Sequence, residues 1–136
     1  MALGDDAAGS GPGGAGDGSA GLPIAHVVLD CADAEALAPF WSAMLGLERR
    51  WRMGQFVGLE DPDGRRHGLI LQQVPEPKTL KNRMHLDLAT PDLEGTAARV
   101  EALGGRRIVE RREGPAHWIV VADPEDNEFC LAEVAG

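Results

Sequence analysis

The sequence contains no apolar run near the roughly 18–20 residues needed to cross a bilayer, so a helical membrane span is excluded. No secretory signal is expected either: the chain opens MALGDD, acidic where a signal peptide is basic. Cysteine is scarce. Cys31 and Cys130 are the only two, and without a secretory signal they point to reduced thiols and a cytoplasmic location. Basic residues are in deficit, 13 Lys and Arg against 22 Asp and Glu. The resulting net charge of −9 repels phosphate backbones, which argues against a nucleic-acid partner.

What remains is the composition of an ordinary globular protein, 43% hydrophobic and 26% charged. At 136 residues the chain suits one domain, because two independent cores would each be too small to be stable. The first residues are of another kind. GDDAAGSGPGGAGDGSAG has no side chain large enough to repay the entropy of ordering it, which predicts a disordered Gly/Ala-rich tail over residues 1–21. The fold is expected to begin at Leu22.

Comparing the chain with itself shows a repeat. IAHVVLDCADAEALAPFWSAMLG (24–46) aligns with RMHLDLATPDLEGTAARVEALGG (83–105), placing His26 on His85, Leu29 on Leu88, Asp33 on Asp92 and Glu35 on Glu94 at one offset (85 − 26 = 59). Later, LEDPDG (59–64) is echoed by VADPED (121–126). Each half reads strand, helix, then three strands. The modules span 22–75 and 82–136 within one domain over 22–136, with PEPK (75–78) in the linker.

The local signals agree with this reading. IAHVVLD alternates as a half-buried strand does. Asp33 is placed to cap a helix whose apolar stripe is Leu37, Phe40, Trp41, Met44 and Leu45, and Gly46 is placed to end it. In the second half Asp92 caps, Leu93, Ala97, Val100 and Leu103 form the stripe, and Gly104–Gly105 stops the helix. Pro39 inside the first helix carries a cost. The other strands are expected near 47–52, 55–60, 67–74, 106–112, 116–122 and 127–134.

Strand alternation then sorts the side chains. Ala25, Val27, Leu29, Met84, Leu86, Leu88, Phe129 and Leu131 belong on the helix side. The opposite side collects His26, Asp30, Gln72, His85, Asp87, Glu128 and Cys130 among Ile, Val and Ala. A solvated sheet face is polar as well, but this mixture of titratable and apolar groups is what lines a pocket. The equivalence of His26 and His85 carries most weight, since a pseudo-twofold repeat brings equivalent residues toward a common axis.

The segments HVVLDCAD with FWSAMLGLE, NRMHLDLAT with EALGG, and VADPEDNEFCL resemble the vicinal oxygen chelate (VOC) superfamily, of the glyoxalase, bleomycin-resistance protein and dioxygenase type. More narrowly the chain is similar to glyoxalase-like proteins, over residues 24–134. The resemblance implies an α+β fold of two tandem βαβββ modules forming a curled mixed-sheet cup, with helices on the outer face. It implies a divalent metal (Zn, Ni, Fe or Mn) held from the first, fourth, fifth and eighth strands, at positions occupied here by His26, Gln72, His85 and Cys130. Cys130 departs from the pattern: glyoxalase I has a glutamate there that also moves the substrate proton. A thiolate binds zinc well but does not replace that base, which argues against glyoxalase I activity. Glu128 and Asp87 are the carboxylates left to act as catalytic base.

Of three functional readings, a structural or partner-binding module whose cup has lost its role stands below the other two. One is a lyase- or isomerase-type enzyme whose metal polarises a carbonyl or enolate oxygen. The other is a metal-free protein that sequesters an antibiotic or other natural product against a pocket of Asp30, Trp51, Phe56 and Trp118. Trp41, on the helix stripe, is read as core. The arginines at 49, 50 and 52 and at 106, 107, 111 and 112 fall on the second strand of each module, where charge protects a sheet edge. Relatives with this cup pair as dimers, and a homodimer is expected.

Overall fold

Alternating and amphipathic segments of the kind read above become, in a computed structural model describing residues 21–135, the order β1 (Val28–Cys31), α1 (Ala34–Leu45), β2 (Glu48–Met53), β3 (Phe56–Glu60), β4 (Leu69–Gln73), β5 (Asp87–Thr90), α2 (Leu93–Ala102), β6 (Arg106–Glu113), β7 (Ala116–Ala122) and β8 (Glu128–Glu133). Apart from Gly21, the tail expected over 1–21 lies outside the described residues. The chain divides between Val74 and Pro75 into two compact units. Each is a βαβββ module with its own four-stranded mixed sheet, ordered β1-β4-β3-β2 in the first and β5-β8-β7-β6 in the second. No helix among the described residues is long and apolar enough to cross a membrane.

The caps form where the sequence places them. The Asp33 carboxylate accepts from the Ala36 N–H at 3.1 Å, and Gly46 ends α1 at φ 65°. The Gln73 side-chain oxygen adds a second N-terminal acceptor, 3.0 Å from the Ala34 N–H. In α2 Asp92 accepts from Gly95 at 3.0 Å, and the Gly105 N–H closes the end on the Val100 carbonyl at 2.9 Å. α1 continues through Pro39, which costs the Glu35 carbonyl its usual i+4 donor.

Each helix covers one face of its own sheet. Leu37, Phe40 and Trp41 of α1 are buried with Val57, Leu59 and Leu71, and Trp41 meets Phe40 edge-on as part of the core. Leu93, Ala97 and Val100 of α2 are buried with Ile119, Val121, Phe129 and Leu131. β1 and β5 are shorter than expected, which overturns two placements. Ala25 and Met84, assigned to the helix side, precede β1 and β5 and are exposed, Met84 at 85%, since alternation fixes a side chain only where the strand is paired.

Both modules repeat the same clamp. Glu35 in the first turn of α1 takes a bidentate pair from Arg49 on edge strand β2, at 2.8 and 2.7 Å. Glu94 in α2 takes the same pair from Arg107 on edge strand β6, at 2.8 and 2.7 Å. The hydrogen bond from Arg49 holds Glu35 down to about 2 from an ordinary 4.5, against a smaller opposing effect of desolvation.

Candidate functional site

The registers of the two sheets decide which residues share a rung. In the first module Val28 pairs with Ile70, Ile70 with Gly58, and Gly58 with Trp51. In the second, Asp87 pairs with Cys130, Cys130 with Val120, and Val120 with Val109. Val28 and Asp87 differ by the repeat offset (87 − 28 = 59), and both edge strands bulge immediately before Trp51 or Val109. The rungs are therefore equivalent, but their contents are not. One is apolar with a tryptophan, while the other carries a carboxylate and a thiol.

The neighbouring rung is Asp30–Gln72–Phe56 in the first module and Ala89–Ala132–Trp118 in the second. Phe56 and Trp118 are thus counterparts. Gln72 corresponds to Ala132, and Cys130 corresponds to Ile70. Gln72 also lies beside Asp30, four residues along from His26, which is about 13 Å of strand. His26 itself is half-buried just before β1, where pairing still reaches the Val27 carbonyl, the acceptor for Ile70 N–H at 3.0 Å.

His85 and Cys130 do come together. With Asp87 they offer three ligand atoms all within 4.8 Å of one another. His85 Nε2 is 3.1 Å from Asp87 Oδ1, two residues along the same strand face. Both are exposed, whereas Cys130 is buried at 8% exposure. The thiol is pushed above its usual range, first by burial and then by the Asp87 charge and a hydrogen bond to it, with Lys81 opposing. Donors around a small divalent ion stand about 3–4 Å apart, so small rotamer adjustments suffice for this trio to hold one. Imidazole, carboxylate and thiolate are all suitable donor types. The strand pair places the trio by itself: Cys130 N–H donates to the Leu86 carbonyl at 2.9 Å, and Phe129 and Leu131 on either side anchor β8 under α2.

These groups line a cavity of about 830 Å³ on the face of the second sheet away from α2, with Trp118, Val120, Arg111 and Glu128 among its walls. That volume suits a small organic molecule. Glu128 is half-buried and already engaged. Its carboxylate accepts the Asn82 backbone N–H at 2.8 Å and lies 3.4 Å from Lys78, while the Asn82 side chain accepts from the Glu128 N–H at 3.0 Å. Desolvation raises its pKa, but the Asn82 N–H and the charges of Lys78 and Lys81 together outweigh that and bring it below the ordinary value.

The first module has a smaller cavity of about 370 Å³, lined by His26, Trp51, Glu60 and Ile70. Here the Trp51 ring lies across Gly58 so closely that a Cβ on the glycine would fall 2.0 Å from its Cε2, and its indole N–H donates to Glu60 at 2.9 Å. The asymmetry between the rungs and the Trp51–Gly58 contact escaped sequence reasoning. The chemistry of Asp87 was visible only in part: its place two residues after His85 gives the shared face, but its juxtaposition with Cys130 depends on a parallel register.

A family model for the glyoxalase-like domain matches residues 26–132. The chain belongs to the glyoxalase-like domain family. This places it in the VOC superfamily, and solved structures share the fold. A possible glyoxalase from Bacillus cereus is 22% identical, with a TM-score of 0.63 over 82% of this chain and 99% of that one. Lactoylglutathione lyase from Agrobacterium tumefaciens is 20% identical, with a TM-score of 0.58 over 79% and 90%. The fosfomycin resistance protein FosX from Listeria monocytogenes, solved with Mn(II) and sulfate, is 15% identical, with a TM-score of 0.67 over 81% and 88%. No curated protein matches the sequence.

Proposed function

We propose that this glyoxalase-like protein is a small-molecule enzyme of the lyase or isomerase type, dependent on a divalent metal, and distinct from glyoxalase I. The observation that carries this reading is the convergence of His85, Asp87 and Cys130 on the wall of an 830 Å³ cavity. A divalent ion bound there would supply Lewis acidity to a carbonyl or enolate oxygen. The protein's own part is to hold that ion, to present Trp118 and Val120 as an apolar wall against the substrate, and to keep Glu128 in place through Asn82 and Lys78. Glu128 is a weak base in this state, so proton transfer by it requires the substrate to displace Lys78 or Asn82. Residues 22–136 act as one domain in this reading, in the cytoplasm and as a homodimer.

Metal content of protein purified without chelator or affinity tag tests the proposal. Bound metal in the native protein, lost in His85→Ala with the fold intact by circular dichroism, is the expected result; metal-free protein that takes up no added divalent ion refutes it. The second reading, metal-free sequestration of a hydrophobic natural product, is supported by Trp118 on the wall of the second module's 830 Å³ cavity. Tight binding of such a molecule without turnover, unaffected by His85→Ala, is its signature.

A further inference from the structure

We infer that the metal centre is built within the second module, from His85 just before β5, Asp87 at its start and Cys130 on β8, with Asp87 as a ligand in place of a catalytic base, and that it takes a thiophilic divalent ion, zinc or cobalt, over manganese or magnesium. This rests on the metal-dependent reading above and deepens it.

Three observations carry the inference. First, the three donor atoms lie within 4.8 Å of one another without help from the first module. Second, the first module has no equivalent set: where the second has Asp87 and Cys130, it has Val28 and Ile70, and Gln72 stands on the next rung. A histidine without those two neighbours is not a counterpart site. Third, the donor chemistry is mixed. Manganese and magnesium are held by oxygen and nitrogen donors, whereas a thiolate beside an imidazole and a carboxylate selects softer ions. Three protein ligands would leave a further position for water or substrate, as catalytic zinc centres do. Binding of the ion would release the Cys130 thiol proton to solvent, and Asp87 would exchange its contact with His85 for the ion.

The test uses full-length protein stripped with chelator, then loaded with Co(II), Zn(II) or Mn(II) singly and in competition. One equivalent of cobalt is expected to give a tetrahedral spectrum with a thiolate-to-cobalt charge-transfer band in the near ultraviolet. Cys130→Ser is expected to lose that band, Asp87→Ala to weaken cobalt binding by about 10-fold or more, and His26→Ala to change neither. Zinc is expected to displace manganese completely at equal concentration. Circular dichroism on each variant checks that it is folded, and Cys130→Ala serves as the second variant if Cys130→Ser is not. Cobalt binding without the charge-transfer band, or manganese holding its own against zinc, overturns the inference while leaving a metal enzyme with other ligands. Equal loss of binding in His26→Ala and His85→Ala overturns the confinement to the second module. Failure of all three ions to bind overturns the metal-dependent reading itself.

Discussion

Replacing Gly58 with alanine isolates the contact that most distinguishes the first module's open face. The added methyl would sit 2.0–2.4 Å from Trp51 ring atoms, well inside van der Waals contact, and Gly58 is buried in the middle of β3. The ring must therefore swing away, breaking its 2.9 Å hydrogen bond to Glu60. Overpacking costs about 1–3 kcal/mol and the lost hydrogen bond about 0.5–1.5 kcal/mol. Against this, alanine in a strand recovers about 0.5–1 kcal/mol of backbone entropy relative to glycine. The balance is a destabilisation of about 2 kcal/mol, read in urea unfolding, with a thermal midpoint roughly 6–10 °C lower. The decisive control is the same substitution in a Trp51→Ala background. There the obstruction is gone, and Gly58→Ala should be neutral or slightly stabilising. Equal stability of Gly58→Ala and the native protein, or an equal loss in both backgrounds, would refute the steric argument.

Acid should unfold the protein partly through its helix-to-edge clamps. Glu35 titrates at about 2 in the folded chain against an ordinary 4.5, so its contribution is complete above about pH 4.5 and is lost as pH falls toward 2. Glu35→Gln should flatten the dependence of the urea midpoint on pH across that window, and an unchanged slope would show that the Arg49 pair does not stabilise the fold. In the second module, Leu131→Ala empties a fully buried site next to Cys130 and should cost about 2–5 kcal/mol by chemical denaturation. A cost under about 1 kcal/mol would mean that β8 is not clamped against α2 as described.

Local physics made much of this protein readable in advance. Asp33 and Asp92 announce helix starts because a short carboxylate satisfies orphan N–H groups wherever it precedes an amphipathic run, and Gly46 announces an end because it alone enters the left-handed region cheaply. The 59-residue offset exposed the doubled module, and period-2 alternation separated Phe129 and Leu131 from Glu128 and Cys130. Where alternation ran past a paired strand, as at Met84, it failed.

The site is a different matter, because it depends on register. That His85, Asp87 and Cys130 form one donor group follows from β5 lying parallel to β8 with Asp87 opposite Cys130. A shift of two residues would preserve every facing preference in the sequence and still separate them by about 7 Å. The same holds for Gln72, which belongs on the predicted face yet stands four strand residues from His26. The sequence by itself determined the elements, their caps, the two modules and the side on which each strand residue stands, since these follow from neighbours along the chain. Only the tertiary structure decided which of those residues share a rung, because pairing between distant strands is set by the packing of the whole module.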